Sequence, residues 1–379
     1  MTDFDANAPV LVGVGEVSGK SLSMGELTPT ILAGAAINAA LDDSGQAAAL
    51  GAAVDCIAAI RLFEDSHMAQ GTGSPDNAPE AYGTAAGISA QRLIYCDIGG
   101  QSPQAILSEL AGDLQRGEIR AALIVGAEAI GTAKRARKAN VKLDWSKRSN
   151  TPVDDRLAKF PILAKTEWHN GIVSMPLAYG LIEKARAIRL GLGAKAYSHE
   201  MASLWASFAA KSLTRDHAQY PKDWSADDLL AGDGGNYQLT SNYRRWMVAQ
   251  DGVDMAAAVI MTTAGTAHAL GIRDEKMIWL AGAADAYEPP LCQRLNISGS
   301  DALQYAMAAS LDQAGVSARE LGPVDIYSCF PCAVFAAVDT LGDPSRALAD
   351  YTLTGGLSFF GGPGNGYSLH AIVAMAQAL

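Results

Sequence analysis

The stretch "RLIYCDIGGQSPQAILSELAGDLQRGEIRAALIVGAEA", Arg92–Ala129, decides the fold class. "RLIYCDI" (Arg92–Ile98) is an apolar run of strand length, and "GGQSPQA" (Gly99–Ala105) is a turn rich in small residues that opens a helix near Pro103–Arg116. "ALIVGAEA" (Ala122–Ala129) is a second apolar strand. Strand, tight turn, helix and strand in this order is the pattern of parallel strands joined by a crossover helix.

The same cadence extends upstream. "VLVGVG" (Val10–Gly15) reads as a strand, Thr28–Ser44 as an alanine-rich helix ended by Gly45, and "CIAAIRLF" (Cys56–Phe63) as a strand. It returns downstream with "KMIWLAGAAD" (Lys276–Asp285) as a strand, a helix near Asp301–Ala314, "VDIYSCF" (Val324–Phe330) as a strand and a helix over Ala333–Leu341. The loop "GGLSFFGGPGNGYSLHA" (Gly355–Ala371) then leads into a last helix. A Gly/Ser-rich turn at a strand-to-helix junction occurs in both parts, at Gly99–Ala105 and at Gly361–Ser368, which predicts an internal duplication.

Lys134–Gln250 differs in character, with more charge, most of the tryptophans, and helices over Met175–Leu192 and Tyr197–Ser212. It reads as an insertion whose chain rejoins the first half through "MAAAVIMTT" (Met255–Thr263). The expected plan is a first half over 1–133 and 251–265, an inserted loop domain over 134–250, and a second half over 266–379. Insertions on a rigid α/β frame commonly carry ligand specificity.

With 379 residues, 49% hydrophobic and 18% charged, the composition is globular. A net charge of −11 disfavours nonspecific nucleic-acid binding. No run approaches the ~18 consecutive apolar residues of a membrane span. The start, "MTDFDANAPVLVGVGEV", places acidic residues where a signal peptide has basic ones, so the expected location is the cytoplasm. Five cysteines, an odd number, fit a reducing compartment. Cys329 and Cys332 form a lone CxxC without ligating histidines nearby, so no metal is expected.

Six segments in order resemble the thiolase superfamily, and more closely its sterol-carrier-type and thiolase-like branches. They are "PVLVGVGEV", "GGQSPQAILSELAGDLQRGEIRAALIVGAEAI", "YGLIEKARAIRLGLGAKAYSHEMASLWASFAA", "VDMAAAVIMTTAGTAHALGI", "VDIYSCFPCAV" and "GGLSFFGGPGNGYS". The resemblance covers nearly the whole chain. It implies an α/β thiolase fold: two duplicated βαβαβ halves in α/β/α/β/α layers with an inserted helical loop domain. It further implies coenzyme A thioesters as ligands, with no cofactor bound permanently.

Thiolases transfer acyl groups through a cysteine at a helix N-terminus, a histidine that takes its proton, and donors that hold the thioester oxygen. The family's "CxSGxQA" loop aligns with "GGQSPQA" and puts Gly99 at the nucleophile position. Gly100 and Ser102 are not thiols either, and Ser102 reads as a hydroxyl capping the helix that begins at Pro103. The "GHP" histidine falls on Gly362 of Gly361–Gly362–Pro363, and His370 reads as a packed or capping side chain. In "YSCF", Tyr327 takes the place of a histidine that helps form the oxyanion hole. Ser328 replaces an acidic residue, and Cys329 matches a cysteine used in that branch as acid and base. Cys329 is equally readable as a structural thiol.

Loss of nucleophile and histidine together makes thiolysis through an acyl-cysteine improbable, because such sets act as a unit. Three readings stand open. The first is an acyl-CoA-binding, acyltransferase-like protein without ordinary thiolase activity. The second is a thiolase-like aldolase that cleaves a β-hydroxyacyl-CoA, with Tyr327 and Tyr367 as candidate groups. The third is a noncatalytic assembly subunit. The basic run Lys134–Arg148, beginning Lys134, Arg135, Arg137 and Lys138, could meet the ADP end of coenzyme A, or could be a solvated face. The family implies a homodimer. The family's last helix is followed by two more strands, so three expectations stand at the C-terminus: a second sheet with fewer strands, an incomplete chain, which is favoured, or an edge completed by a small accessory protein.

Overall fold

Two glycines of the first apolar run set how the sheet is covered. Gly13 and Gly15 lie on β1 (Pro9–Ser18), and a Cβ at these positions would come 2.2 Å from the Ala40 carbonyl oxygen and 2.1 Å from that of Ala36. The helix Pro29–Asp43 therefore rests with its backbone directly on the strand. That helix starts as its sequence dictates: Thr28 accepts the Ile31 amide at 3.1 Å, and proline occupies the first turn.

The computed structural model describes residues 5–19, 27–66, 69–156 and 163–379. Beside β1 stand β2 (Cys56–Ala59), β3 (Arg92–Tyr95), β4 (Ala121–Ala129), β5 (Asp154–Asp155), β6 (Asp254–Thr263) and β7 (Ile278–Trp279). They form one sheet in the order β5-β3-β2-β4-β6-β1-β7. β2 runs parallel to β3 and β4, while β6 runs antiparallel to β4 and β1. The segments between Val10 and Ala129 that read as strands are strands; β1 and β4 run slightly longer than expected, while β2 and β3 stop short, at Ala59 and Tyr95. Lys276–Asp285 contributes only Ile278 and Trp279.

Both faces of this sheet are apolar, as parallel pairing with crossover helices requires. Ile57, Ala59, Leu123, Val125, Ala256, Ala258 and Ile260 point to the side of Leu32, Ala36, Ile37 and Ala40. Cys56, Ala58, Ile124, Ala257, Val259 and Met261 point to the other side. There they meet Ile106, Leu107, Leu110 and Leu114 of the helix Ser102–Gln115, and Leu369 and Val373 of the helix Tyr367–Ala378. Each large aliphatic side chain so buried contributes about 1.5–3 kcal/mol.

The chain packs as two compact units. The first holds Met1–Ala158, Asp251–Leu280 and Gly362–Leu379; the second holds Lys159–Gln250 and Ala281–Gly361. The basic helix Ile130–Lys138 and residues 266–280 thus pack within the first unit, beyond the sequence boundaries at 133/134 and 265/266.

Among the described residues, all seven strands belong to the first unit. The second is helical, with Met175–Arg189, Ala194–Ser212, Asp301–Ala314 and Pro331–Leu341 around a core that includes Trp205, Phe208, Tyr243, Phe335, Tyr351 and Phe359. Val324–Phe330, expected as a strand, joins no ladder. Its polar groups are satisfied irregularly: the Ile326 amide donates to the Tyr351 carbonyl at 3.1 Å, and the Asp325 carboxylate accepts the amides of Leu353 and Thr354. No helix among the described residues is long and apolar enough to cross a membrane.

Candidate functional site

In the first unit the two glycine-rich turns singled out in the sequence lie side by side. Gly99 has φ +122°, a conformation open to glycine, and its amide donates to Asn365 Oδ1 at 2.9 Å. The Ser368 hydroxyl donates to the Gly100 carbonyl at 2.6 Å. The Asn365 amide group donates to the Arg61 carbonyl at 2.8 Å and to Ser66 Oγ at 3.0 Å. One buried side chain thereby joins Gly99–Ser102, Gly362–Ser368 and the end of β2. Nothing in the sequence reading singled out Asn365, because its value depends on partners 266 and 304 positions away.

The turn itself closes through Gly364 N–H to Gly362 O and Gly366 N–H to Pro363 O, both at 2.8 Å. Gly364, at φ +55°, lies over Glu128: a Cβ there would come 2.3 Å from Glu128 Oε1. Glu128 ends β4 at 5% exposure and accepts the Phe63 amide at 2.8 Å. Burial pushes its carboxyl up to about 8; the Phe63 amide works against this, and Asp65, Glu64 and Asp251 add to it.

Ser102 is not the cap expected for its helix. The helix begins at Ser102 itself, with Gln101 as N-cap and no side-chain capping bond. Cys96 is a buried thiol, which desolvation pushes up to about 12. His370 is packed, its Nδ1 2.6 Å from Glu16 Oε1 with both side chains 1% exposed. Tyr367 is fully buried where the last helix starts.

The basic residues are largely committed within the same unit. Lys134 pairs with Asp251, Arg135 bonds Asp254 and the Thr132 hydroxyl, and Arg137 donates to the carbonyl of Gln70. Lys138 is exposed.

In the second unit, Tyr327 and Cys329 come together with Tyr179 of the helix Met175–Arg189. Tyr179 stacks on Phe330 with ring centroids 4.4 Å apart. The Cys329 thiol raises the Tyr179 phenol, with burial adding to it. Burial raises Tyr327 well above the ordinary phenol range, and pushes Cys329 up to about 12. All three therefore hold their protons at neutral pH. Ser328, between them, takes the opposite direction and accepts the Leu357 amide at 3.2 Å. Gly361, at φ +126°, ends this unit, whereas Tyr367 and Gly362–Pro363 belong to the first.

Beneath this cluster Glu183, fully buried, accepts the Cys332 amide at 2.8 Å, the Tyr243 hydroxyl at 2.9 Å and the Tyr197 hydroxyl. It thus caps the helix Pro331–Leu341 from the inserted segment, satisfying an amide that the helix cannot. Burial raises its carboxyl while the three donors oppose the rise. Among the described residues no group of three His, Cys, Asp or Glu side chains could hold a metal ion.

No protein-family model and no curated protein matches the sequence. Solved structures do. A monomeric SCP2-thiolase-like protein type 1 from Mycobacterium smegmatis is 31% identical over 99% of this chain and 72% of its own, with a TM-score of 0.80. The Ltp2-ChsH2(DUF35) aldolase is similar at 14% identity over 98% and 89%, with a TM-score of 0.69. The dimeric peroxisomal thiolase of Saccharomyces cerevisiae is similar at 13% over 100% and 92%, also with a TM-score of 0.69. The latter two bear on the fold alone. The architecture is the thiolase fold, and the chain belongs to the SCP2-thiolase-like proteins of the thiolase superfamily.

Proposed function

We propose that the protein binds an acyl-CoA or a related thioester and does not pass the acyl group through a cysteine. The observation that carries this reading is the Gly99–Asn365 bond. The two loops keep a hydrogen-bonded frame, while the position that would bear the nucleophile is a glycine at φ +122° whose amide is already engaged. Cys329, the one cysteine matched to a catalytic position, holds its proton to about 12. A thiol so held is a poor nucleophile at neutral pH. With Lys134 and Arg135 paired to Asp251 and Asp254, Arg137 and Lys138 remain as candidate contacts for the ADP phosphates.

Incubation with acetyl-CoA followed by intact-mass analysis tests the chemistry. No adduct is expected; an adduct that disappears in Cys329→Ala would overturn the reading. A thermal shift with CoA thioesters tests the binding, since a ligand at 100 times its Kd stabilises by about 2.7 kcal/mol. No shift with any thioester would favour the assembly-subunit reading.

A second reading, retro-aldol cleavage of a β-hydroxyacyl-CoA, draws support from the neighbouring phenols of Tyr179 and Tyr327. Either would give a proton to the developing enolate, since their surroundings keep them protonated, while the β-hydroxyl proton passes to solvent as the carbon–carbon bond breaks. Loss of β-hydroxyacyl-CoA cleavage in Tyr327→Phe, with binding retained, is its test. The SCP2-thiolase-like neighbour is described as a monomer, the yeast enzyme as a dimer and the aldolase as a complex with a DUF35 protein. A homodimer and an accessory partner therefore both stand as proposals here, separable by light scattering.

A further inference from the structure

Glu128 is a buried carboxyl that forms no ion pair among the described residues and takes one hydrogen bond, from the Phe63 amide. The surrounding groups make its ionisation harder. Glu64 and Asp65 lie on the adjoining turn. Asp251, itself paired with Lys134, comes from the approach to β6. Tyr82 of the helix Ala78–Ala85 stays a neutral phenol, raised by burial and by Glu128 itself, and its buried hydroxyl has no hydrogen-bond partner among the described residues. A structural role needs only the acceptor for Phe63, which an amide would supply without a site that has to charge as the pH rises.

Its position is specific. The segment Arg61–Ser66 holds Asn365 through the Arg61 carbonyl and the Ser66 hydroxyl, and holds Glu128 through the Phe63 amide. Glu128 Oε1 is also the atom that a side chain at Gly364 would strike. Glu128 thus lies directly beneath the turn that lacks a histidine at Gly362. A buried carboxyl tuned towards the working pH is the form in which an acidic side chain serves as an effective base and acid.

We propose that Glu128 is the proton-transfer residue of this loop site, exchanging the hydrogens on the carbon next to the carbonyl of a bound thioester. The inference rests on the thioester-binding reading above. The carboxylate forms an O–H bond as the α C–H bond breaks. The C–H electron pair becomes the C=C bond of the enolate, and the charge moves to the thioester oxygen. Reversal returns a hydrogen isotope acquired from solvent by the carboxyl, so no oxidant or second reactant is consumed.

The experiment follows the methyl signal of acetyl-CoA by NMR in deuterated buffer with the full-length protein, alongside calorimetric binding of acetyl-CoA. The wild type is expected to exchange the methyl hydrogens, with a rate that rises with pH to an inflection near the about 8 at which Glu128 loses its proton. Glu128→Gln, which keeps an acceptor for Phe63, is expected to lower the rate about 10²-fold or more while acetyl-CoA still binds. Glu128→Asp, with the carboxyl withdrawn, should fall between them and provides a second variant should the first not fold. Acetyl-CoA binding without exchange in the wild type, or wild-type exchange in Glu128→Gln, overturns this inference alone. Absence of acetyl-CoA binding by the wild type overturns it together with the reading on which it rests.

Discussion

Asn365 gives its side-chain oxygen to the Gly99 amide and its side-chain nitrogen to the Arg61 carbonyl, at 2.9 and 2.8 Å, from a position 3% exposed. A single side chain therefore completes a buried and a half-buried backbone group in two loops that are distant in sequence.

Replacing it should cost accordingly. Asn365→Ala leaves the Gly99 amide and Arg61 carbonyl without partners, and a loss of about 2–4 kcal/mol is expected in urea unfolding. A loss below about 0.5 kcal/mol would show that the two loops do not depend on this bond.

Restoring a thiol at the family's nucleophile position should fail. In Gly99→Cys the new Cβ would lie 2.2 Å from Gln101 Oε1, and the backbone sits at φ +122°. The strained conformation costs about 1–3 kcal/mol. Intact-mass analysis with acetyl-CoA should find no acyl adduct on the variant, with a lowered melting temperature as the accompanying sign.

Glu128 makes stability depend on pH in a predictable sense. In the folded protein it keeps its proton up to about 8. In the unfolded chain it loses the proton above about 4.3. The native state therefore binds more protons across that window, and stability falls as pH rises through it, by about 1.4 kcal/mol per unit at the steepest. The stability of Glu128→Gln relative to wild type should rise from pH 5 to pH 8 in urea titrations; an unchanged difference would show that the carboxyl is not buried in this way.

Cys329 should behave as an inert thiol. With its proton held to about 12, its alkylation by iodoacetamide at pH 8 should run roughly 10³-fold slower than that of a free cysteine. Peptide mass spectrometry should show the exposed Cys292 modified well before it. Rapid labelling of Cys329 would show that its thiol is not held protonated in this way.

Most of the first unit was legible in the sequence, because its strands are continuous apolar runs and its helices carry local start signals such as Thr28 followed by Pro29. The loops around Gly99 and Gly362 were legible for the same reason: glycine, serine and proline at a strand-to-helix junction announce a turn. Val324–Phe330 shows the limit. Its apolar, β-branched run specifies extended backbone, but a ladder also needs a neighbour, and pairing is a long-range property. Asn365, Glu128 and Glu183 stayed hidden for a related reason. A polar residue becomes a fastener, a raised acid or a helix cap only through the burial and partners that distant segments bring.

The placement of Leu369 and Val373 on the sheet also bears on how the molecule comes into being. These residues fill the face that carries Cys56, Ile124 and Val259, yet they follow the entire second unit in the chain. During synthesis on the ribosome, the part of that face which Leu369 and Val373 cover waits open while about a hundred residues emerge after β6. The nascent chain should thus call on chaperones over this interval, and separately expressed fragments divided at Gly361/Gly362 should recover a folded first unit only when combined.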